Sequence, residues 1–205
     1  DSSCGLHCFT SRWRQITVFM AESLILICSK TIHLKTGMNH HYTVLRCGDI
    51  RQKLPDKPER FDTCTCVLGK EGFSSGRFYF EVQVKGKTDW DLGVARESIN
   101  RKGEITLSPS NGYWTVWLRN GDEYKALSGP SVSLSLRVKP KRVGVFVDYE
   151  EGLVSFYDVE SSSHIYSFTA QSFTEKKLYP LFSPCNNDGG KNSSPLIITP
   201  VNDNK

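Results

Sequence analysis

Long apolar runs are missing from this chain. The most apolar stretch, Ile16 to Ile27, is interrupted by Glu22 and Ser23. It falls short of the roughly 20 residues that span a bilayer, so no membrane contact is expected. Blocks of like charge are missing too: 26 Lys and Arg stand against 22 Asp and Glu, a net +4 spread along 205 residues. That balance argues against a nucleic-acid partner. The densest basic run, Lys139-Pro140-Lys141-Arg142, is short and turn-like, the pattern of a solvated loop rather than a phosphate-binding patch. The seven cysteines form an odd, irregular set, unlike the framework of a disulfide-stapled secreted scaffold, and point to a reducing, cytoplasmic setting.

Catalytic signatures are absent as well. There is no Gly-x-Ser-x-Gly elbow, no His-Glu-x-x-His helix and no phosphate loop, so no catalytic residue is named and no enzyme is expected. The pairs Cys4/Cys8 and Cys64/Cys66 have no second Cys or His pair at zinc-finger spacing, so neither a metal nor another cofactor is expected. Cys64 and Cys66 alternate with Thr63 and Thr65, which puts both thiols on one strand face as small buried hydrophobes. His40 and His41 are adjacent and on a strand would point to opposite sides, unable to chelate one metal. Asp148, Glu150 and Glu151 read as solvated turn acids, and His164, after three serines, as a turn residue. The chain opens on Asp1 rather than Met and is expected to be part of a longer protein.

What is present is a rhythm of short strands. From about residue 61, runs of aromatic and β-branched residues are punctuated by Gly, Pro, Asn and Ser every roughly 8 to 12 residues, and no long helical period appears. Phe78, Phe80, Val82 and Val84 share one face of a strand while Glu81 and Gln83 share the other, because strand side chains alternate. In Ser131 to Val138, the residues Val132, Leu134, Leu136 and Val138 are expected to face inward. Trp90, Leu92 and Val94 form another inward row. Val143 to Asp148 and Leu153 to Tyr157 are apolar on both faces and read as a hairpin inside a sheet, turned at Gly152. Leu196 to Val201 closes the sandwich, after a polar loop over residues 186–194. Residues 1–46 read differently. They hold three cysteines before position 30 and four of the five histidines, without strand punctuation, and Ile16 to Ile27 fits either a short helix or a strand.

One strand carries the functional reading. Asn111-Gly112 opens Tyr113 to Arg119, and Asn120-Gly121 closes it with a hairpin-turn signal. Trp114, Val116 and Leu118 make one apolar face, whereas Tyr113, Thr115, Trp117 and Arg119 make a face of aromatic, hydroxyl and cationic groups. The second face suits partner binding, since Trp, Tyr and Arg dominate interface hot spots. An alternative stays open: Trp117 packs under a neighbouring loop with Arg119 laid over its ring as a structural cation–π pair.

Several motifs in order resemble the B30.2 or PRY-SPRY domain, in the form found at the carboxyl end of fish tripartite-motif ubiquitin ligases. They are Gly48 to Leu54, Phe61-Asp62, Gly76 to Val82, Trp90 to Val94, Gly112 to Leu118, Val145 to Glu150 and Tyr179 to Pro184. Together they cover about three quarters of the chain, residues 47–201. The resemblance implies an all-β, bent two-sheet antiparallel sandwich of the concanavalin-like jelly-roll kind, with an irregular amino-terminal segment. It implies a module that binds a protein target, plausibly a pathogen or immune component, without catalysis. Ubiquitin transfer would belong to an upstream RING domain, and dimerisation to an upstream coiled coil. Carried over residue by residue, the family's binding pocket falls on Asp91, Trp117, Arg119 and Asn186. Arg119 and Asn186 stand where the antibody-binding member has aromatic residues, so a different ligand is implied. Tyr113 shares the Trp117 face, and the loops Leu54 to Arg60, including Pro58, Glu97 to Gly103, and Gly121 to Lys125 are expected to line the same side. Residues 1–46 lack the usual Leu-Asp-Pro start and read as a divergent segment replacing most of PRY. Residues 202–205 form a tail. Rival hosts for the same module are a NACHT-type immune receptor and a butyrophilin-like receptor. A free-standing enzyme on a sandwich scaffold is the rival of another class.

Overall fold

The computed structural model describes residues 16–18, 24–25, 30–36, 42–51, 55–174 and 176–199. In chain order the strands are β1 (Ile16–Val18), β2 (Leu24–Ile25), β3 (Lys30–Thr36), β4 (Thr43–Arg51), β5 (Val67–Gly69), β6 (Arg77–Gln83), β7 (Trp90–Arg96) and β8 (Tyr113–Arg119). They continue as β9 (Glu123–Ala126), β10 (Val132–Leu134), β11 (Arg142–Asp148), β12 (Leu153–Asp158), β13 (Ser163–Phe168), β14 (Leu178–Ser183) and β15 (Leu196–Thr199). One sheet runs β13-β12-β11-β6-β15-β4-β3 with β1 beside β6, the other β10-β9-β8-β7-β14-β5-β2. Every pairing is antiparallel except the short β1–β6 contact. No described helix is long and apolar enough to cross a membrane.

The inner faces follow from period-two alternation. Phe78, Phe80 and Val82 of β6 and Val143, Val145 and Val147 of β11 meet Trp90, Leu92 and Val94 of β7 and Trp114, Val116 and Leu118 of β8 in one buried cluster. Phe80 and Phe182 stand edge to face with ring centroids 5.4 Å apart. Each such side chain contributes roughly 1.5–3 kcal/mol by leaving water. The β11–β12 hairpin forms as expected, registered Asp148 to Leu153. Gly152 turns it at φ +61°, and a Cβ there would lie 2.1 Å from the Gln171 carbonyl oxygen. Asn120 and Gly121 both take positive φ, 55° and 80°, the mirror-image turn that fits the twist of a hairpin.

Five expectations change. The strand predicted over Ser131 to Val138 stops at Leu134: it is an edge strand, and Val132 and Val138 are 43% and 66% exposed. Only Leu134 and Leu136 pack on the core, because the chain leaves the ladder after three paired residues. His164 sits within β13 rather than in the turn before it. Cys64 lies on a bend and Cys66 in the irregular backbone just before β5, neither on a strand, yet Cys66 joins a second buried cluster and Cys64 packs against it. Asp148 ends β11 buried, where Arg77 donates to it at 2.5 Å and it caps the Glu151 amide at 3.2 Å. Ahead of residue 47, β3 pairs with β4 from Thr36–Thr43 to Lys30–Arg51, so strand structure begins within the stretch expected to be irregular. Ile16–Val18 and Leu24–Ile25 are strands, not a helix. Cys4, Cys8, His40, His41, Leu54 and the residues from Pro200 onward lie outside the described residues.

Candidate functional site

The outward side of β8 is ordered by its neighbours. Pairing places Trp117 opposite Lys125 of β9 and Asp91 of β7, and Asp91 opposite Ser183 of β14. A cross-strand row therefore reads Lys125, Trp117, Asp91, Ser183. Two pairs further toward the turn, Arg119 stands opposite Glu123.

Arg119 folds back over this row. Its Nη2 donates to Asp91 Oδ1 at 2.6 Å, and its Nη1 donates to the carbonyls of Trp90 (3.1 Å) and Leu118 (2.8 Å). The guanidinium carbon lies 4.3 Å from the Trp117 ring centroid, and Lys125 Nζ lies 5.9 Å from the same ring. The cation–π pair that the sequence left open is therefore formed. It does not close the surface, because Arg119 keeps 27% of its side chain exposed and Trp117 is half-buried. The site offers a fixed aromatic ring flanked by two cations, Arg119 anchored on Asp91 and Lys125 half-buried beside it.

Beneath lies a buried polar chain. Burial pushes the Asp91 carboxyl above its ordinary range, while the Arg119 guanidinium pulls it back down. Cys185 Sγ lies 3.7 Å from Asp91 Oδ2, and burial pushes this thiol up to about 12. It stays a protonated donor rather than a nucleophile. Ser183 continues the chain to Thr65 at 2.9 Å.

The loop after β14 is tied to this region by two residues that the sequence reading missed. Asn192, almost fully buried, accepts through Oδ1 from the amides of Thr88 (3.0 Å) and Asp89 (3.2 Å). Its Nδ2 lies 3.1 Å from the Asp89 carbonyl and 3.0 Å from those of Pro184 and Asn186. Lys87, also buried, donates to the carbonyls of Asn192 at 3.4 Å and Ser194 at 3.0 Å. Burial lowers the Lys87 amine from 10.5 to about 8. Between those values the unfolded chain holds a proton that the folded chain has shed, so this group makes stability rise with pH. Urea midpoints measured at about pH 7.5 and about pH 9.5 should show that rise relative to Lys87→Met, which removes the titration. Equal pH slopes in the two proteins would refute it.

The expected site residues separate into two groups. Asp91, Trp117, Arg119 and Asn186 gather at one end, Asn186 exposed on the tied loop. Tyr113 lies at the other end of β8, four residues and about 13 Å from Trp117 at 3.3 Å per residue. It is 1% exposed, donates to the Asn100 carbonyl at 2.7 Å, and packs with Phe61, Cys66, Ala95, Ile99 and Leu181. Tyr113 is therefore a core residue and not part of an accessible surface. Pro58 and Arg60 belong to that far end too. Their loop is bound to the 97–103 loop through Arg101 Nη1 to the Glu59 carbonyl (3.4 Å) and Gly103 N to Asp62 Oδ1 (2.9 Å). The two loops cover that end of the sheet instead of framing the Asp91 end. Among the described residues no group of three or more His, Cys, Asp or Glu is placed to hold a metal.

Residues 77–196 match the family profile of the SPRY domain and residues 31–73 that of PRY, the SPRY-associated domain. The PRY match thus begins well ahead of Cys47. The chain is 49% identical over 186 residues to "Nuclear factor 7, brain" of Xenopus laevis, covering 90% of this chain and 30% of that protein. It is 44% identical over 188 residues to "E3 ubiquitin-protein ligase TRIM69" of Rattus norvegicus, covering 91% of this chain and 37% of that one. The chain thus spans about a third of the length of these relatives. The solved TRIM65 PSpry domain superposes with a TM-score of 0.69 over 95% of both chains at 18% identity, a likeness of fold.

Proposed function

Because the chain belongs to the PRY-SPRY (B30.2) family of protein-interaction modules, we propose that it is the target-recognition domain of a tripartite-motif E3 ubiquitin ligase, working in the cytoplasm in innate immunity. The protein target seats on the end of the sandwich formed by Asp91, Trp117, Arg119 and Asn186. Ubiquitin transfer is the work of a RING domain elsewhere in the protein, and this part only selects the target.

The observation that carries the reading is the row on β8: a half-buried tryptophan held on a central strand, flanked by Arg119 and Lys125. A rigid aromatic anchor with hydrogen-bonding cations beside it gives large contact area at low entropic cost. Asp91 holds Arg119 in place, and the tied loop presents Asn186 beside it.

The test is quantitative capture of cellular proteins by the chain, by Trp117→Ala, and by Lys70→Ala, an exposed change on another loop. Proteins retained by the parent and by Lys70→Ala but lost with Trp117→Ala are the expected targets. They should also be ubiquitylated less when the full-length ligase carries Trp117→Ala. A captured set unchanged by Trp117→Ala would overturn this assignment.

A further inference from the structure

A second surface lies away from the Asp91 end, where the two sheets expose their outermost strands. Among the described residues β13 ends one sheet and β10 the other, each paired on one side only. An edge strand presents unpaired N–H and C=O groups able to template a further strand. Between these edges a groove of about 350 Å³ is lined by the segment Ser135 to Val138 with Pro140, and by Asp158, Ser161 and Ser163 to Ile165.

The groove has an apolar floor and a cationic wall. Leu136 and Ile165 rest on the main core and form the floor. Val138, 66% exposed, stands on the rim, and Val132, on β10 itself, is 43% exposed. These are the large hydrophobics found exposed among the described residues.

The acids here are already engaged. Asp158 accepts from Ser161 Oγ at 2.5 Å and from the Glu160 amide at 3.1 Å, and Glu160 lies 3.8 Å from Lys141. Arg142 is paired with Glu81 at 3.2 Å. Arg137, exposed on the wall, makes no ion pair with any described residue. His164 Nε2 is engaged with Ser167 at 2.7 Å. Asp158 keeps its charge but is only 5% exposed, so the charge presented to solvent beside the apolar floor and the open strand edge is the cation of Arg137.

We propose that this groove binds an extended acidic peptide segment of a partner protein. The segment adds alongside the start of β13 by main-chain hydrogen bonds, sets alternate apolar side chains on Leu136, Val138 and Ile165, and places a carboxylate on Arg137. Strand addition supplies affinity through the backbone, and the alternate side chains supply selection. Arginine suits the carboxylate because its planar fork donates two parallel hydrogen bonds.

The probe is a fluorescein-labelled peptide of about eight residues alternating glutamate with valine, the length of a long strand. Its anisotropy is read against the full chain. Saturable binding is expected, weakened about tenfold or more by Arg137→Glu and by Val138→Asp and retained in Lys70→Ala. Both weakening changes are at exposed positions, and unaltered thermal unfolding checks that the fold is kept. A peptide with lysine in place of glutamate should not bind. No saturable binding, equal binding of the lysine peptide, or displacement by inorganic phosphate alone would overturn the proposal. So would loss in Trp117→Ala with retention in Arg137→Glu, which would put the peptide at the Asp91 end instead.

Discussion

Trp114→Ala lowers the unfolding free energy by about 3–5 kcal/mol, the cost of truncating a fully buried aromatic and leaving a cavity. Trp114 is 1% exposed, with Phe173 edge-on at 4.9 Å and Nε1 donating to Gln171 Oε1 at 2.9 Å. Deletion removes the packing and leaves the Gln171 acceptor unpaired. Trp117→Ala, three residues on in the same strand, removes a half-buried ring and costs no more than about 2 kcal/mol. Urea unfolding of both variants against the parent measures the difference. Equal losses would mean that the two faces of β8 are not distinct, and the recognition surface would lose its physical basis.

Arg119→Met is expected to cost a comparable amount, about 3–5 kcal/mol at neutral pH, for another reason. Asp91 is 5% exposed, and Arg119 is the cation that offsets its burial. Without that cation the carboxyl, whose ordinary value is 3.8, rises further in the folded state while the unfolded value stays where it was. The folded variant then binds a proton that the unfolded chain does not. Relative to the parent, its stability rises as pH falls from about 7 to about 5. Asp91→Asn combined with Arg119→Met removes the buried charge. It should recover most of the loss and abolish this relative pH dependence. A double variant as unstable as Arg119→Met alone would show that the guanidinium acts through packing on Trp117 rather than through Asp91.

The sandwich was legible because alternation is a local signal. Phe78 to Val84, Trp90 to Val94 and Trp114 to Leu118 each have their inward residues buried. The same signal misled at Ser131 to Val138, since an edge strand alternates like a central one and nothing nearby reveals that the ladder ends after Leu134. Tyr113 failed differently. It points out of the sheet with Trp117, as the period requires, but a loop from earlier in the chain covers it through Phe61 and Cys66. Alternation assigns a side and says nothing of what lies over that side. Asn192 and Lys87 gave no sequence signal, because their partners lie 103 to 107 residues away for most of the bonds that matter. Trp117 and Arg119 were legible from alternation, Asp91 and Asn186 only from the family resemblance; the structure adds that Trp117 and Asp91 are cross-strand neighbours, with Arg119 bonded to Asp91 and Asn186 on the loop tied beside them.

The Asn192 anchor sets what can vary around it. Its amide fixes the loop at Pro184 and Asn186 on one side and at its own position on the other. Between these points the turn at Asp188, Gly189 and Gly190 lies exposed, with all three residues at positive φ. Insertions or deletions there change the length of a solvent-facing tip without moving the pinned base. If the proposed site holds, such a loop lets descendants of one ancestral gene trade targets by altering a few codons at the tip, while the sandwich that carries it stays the same.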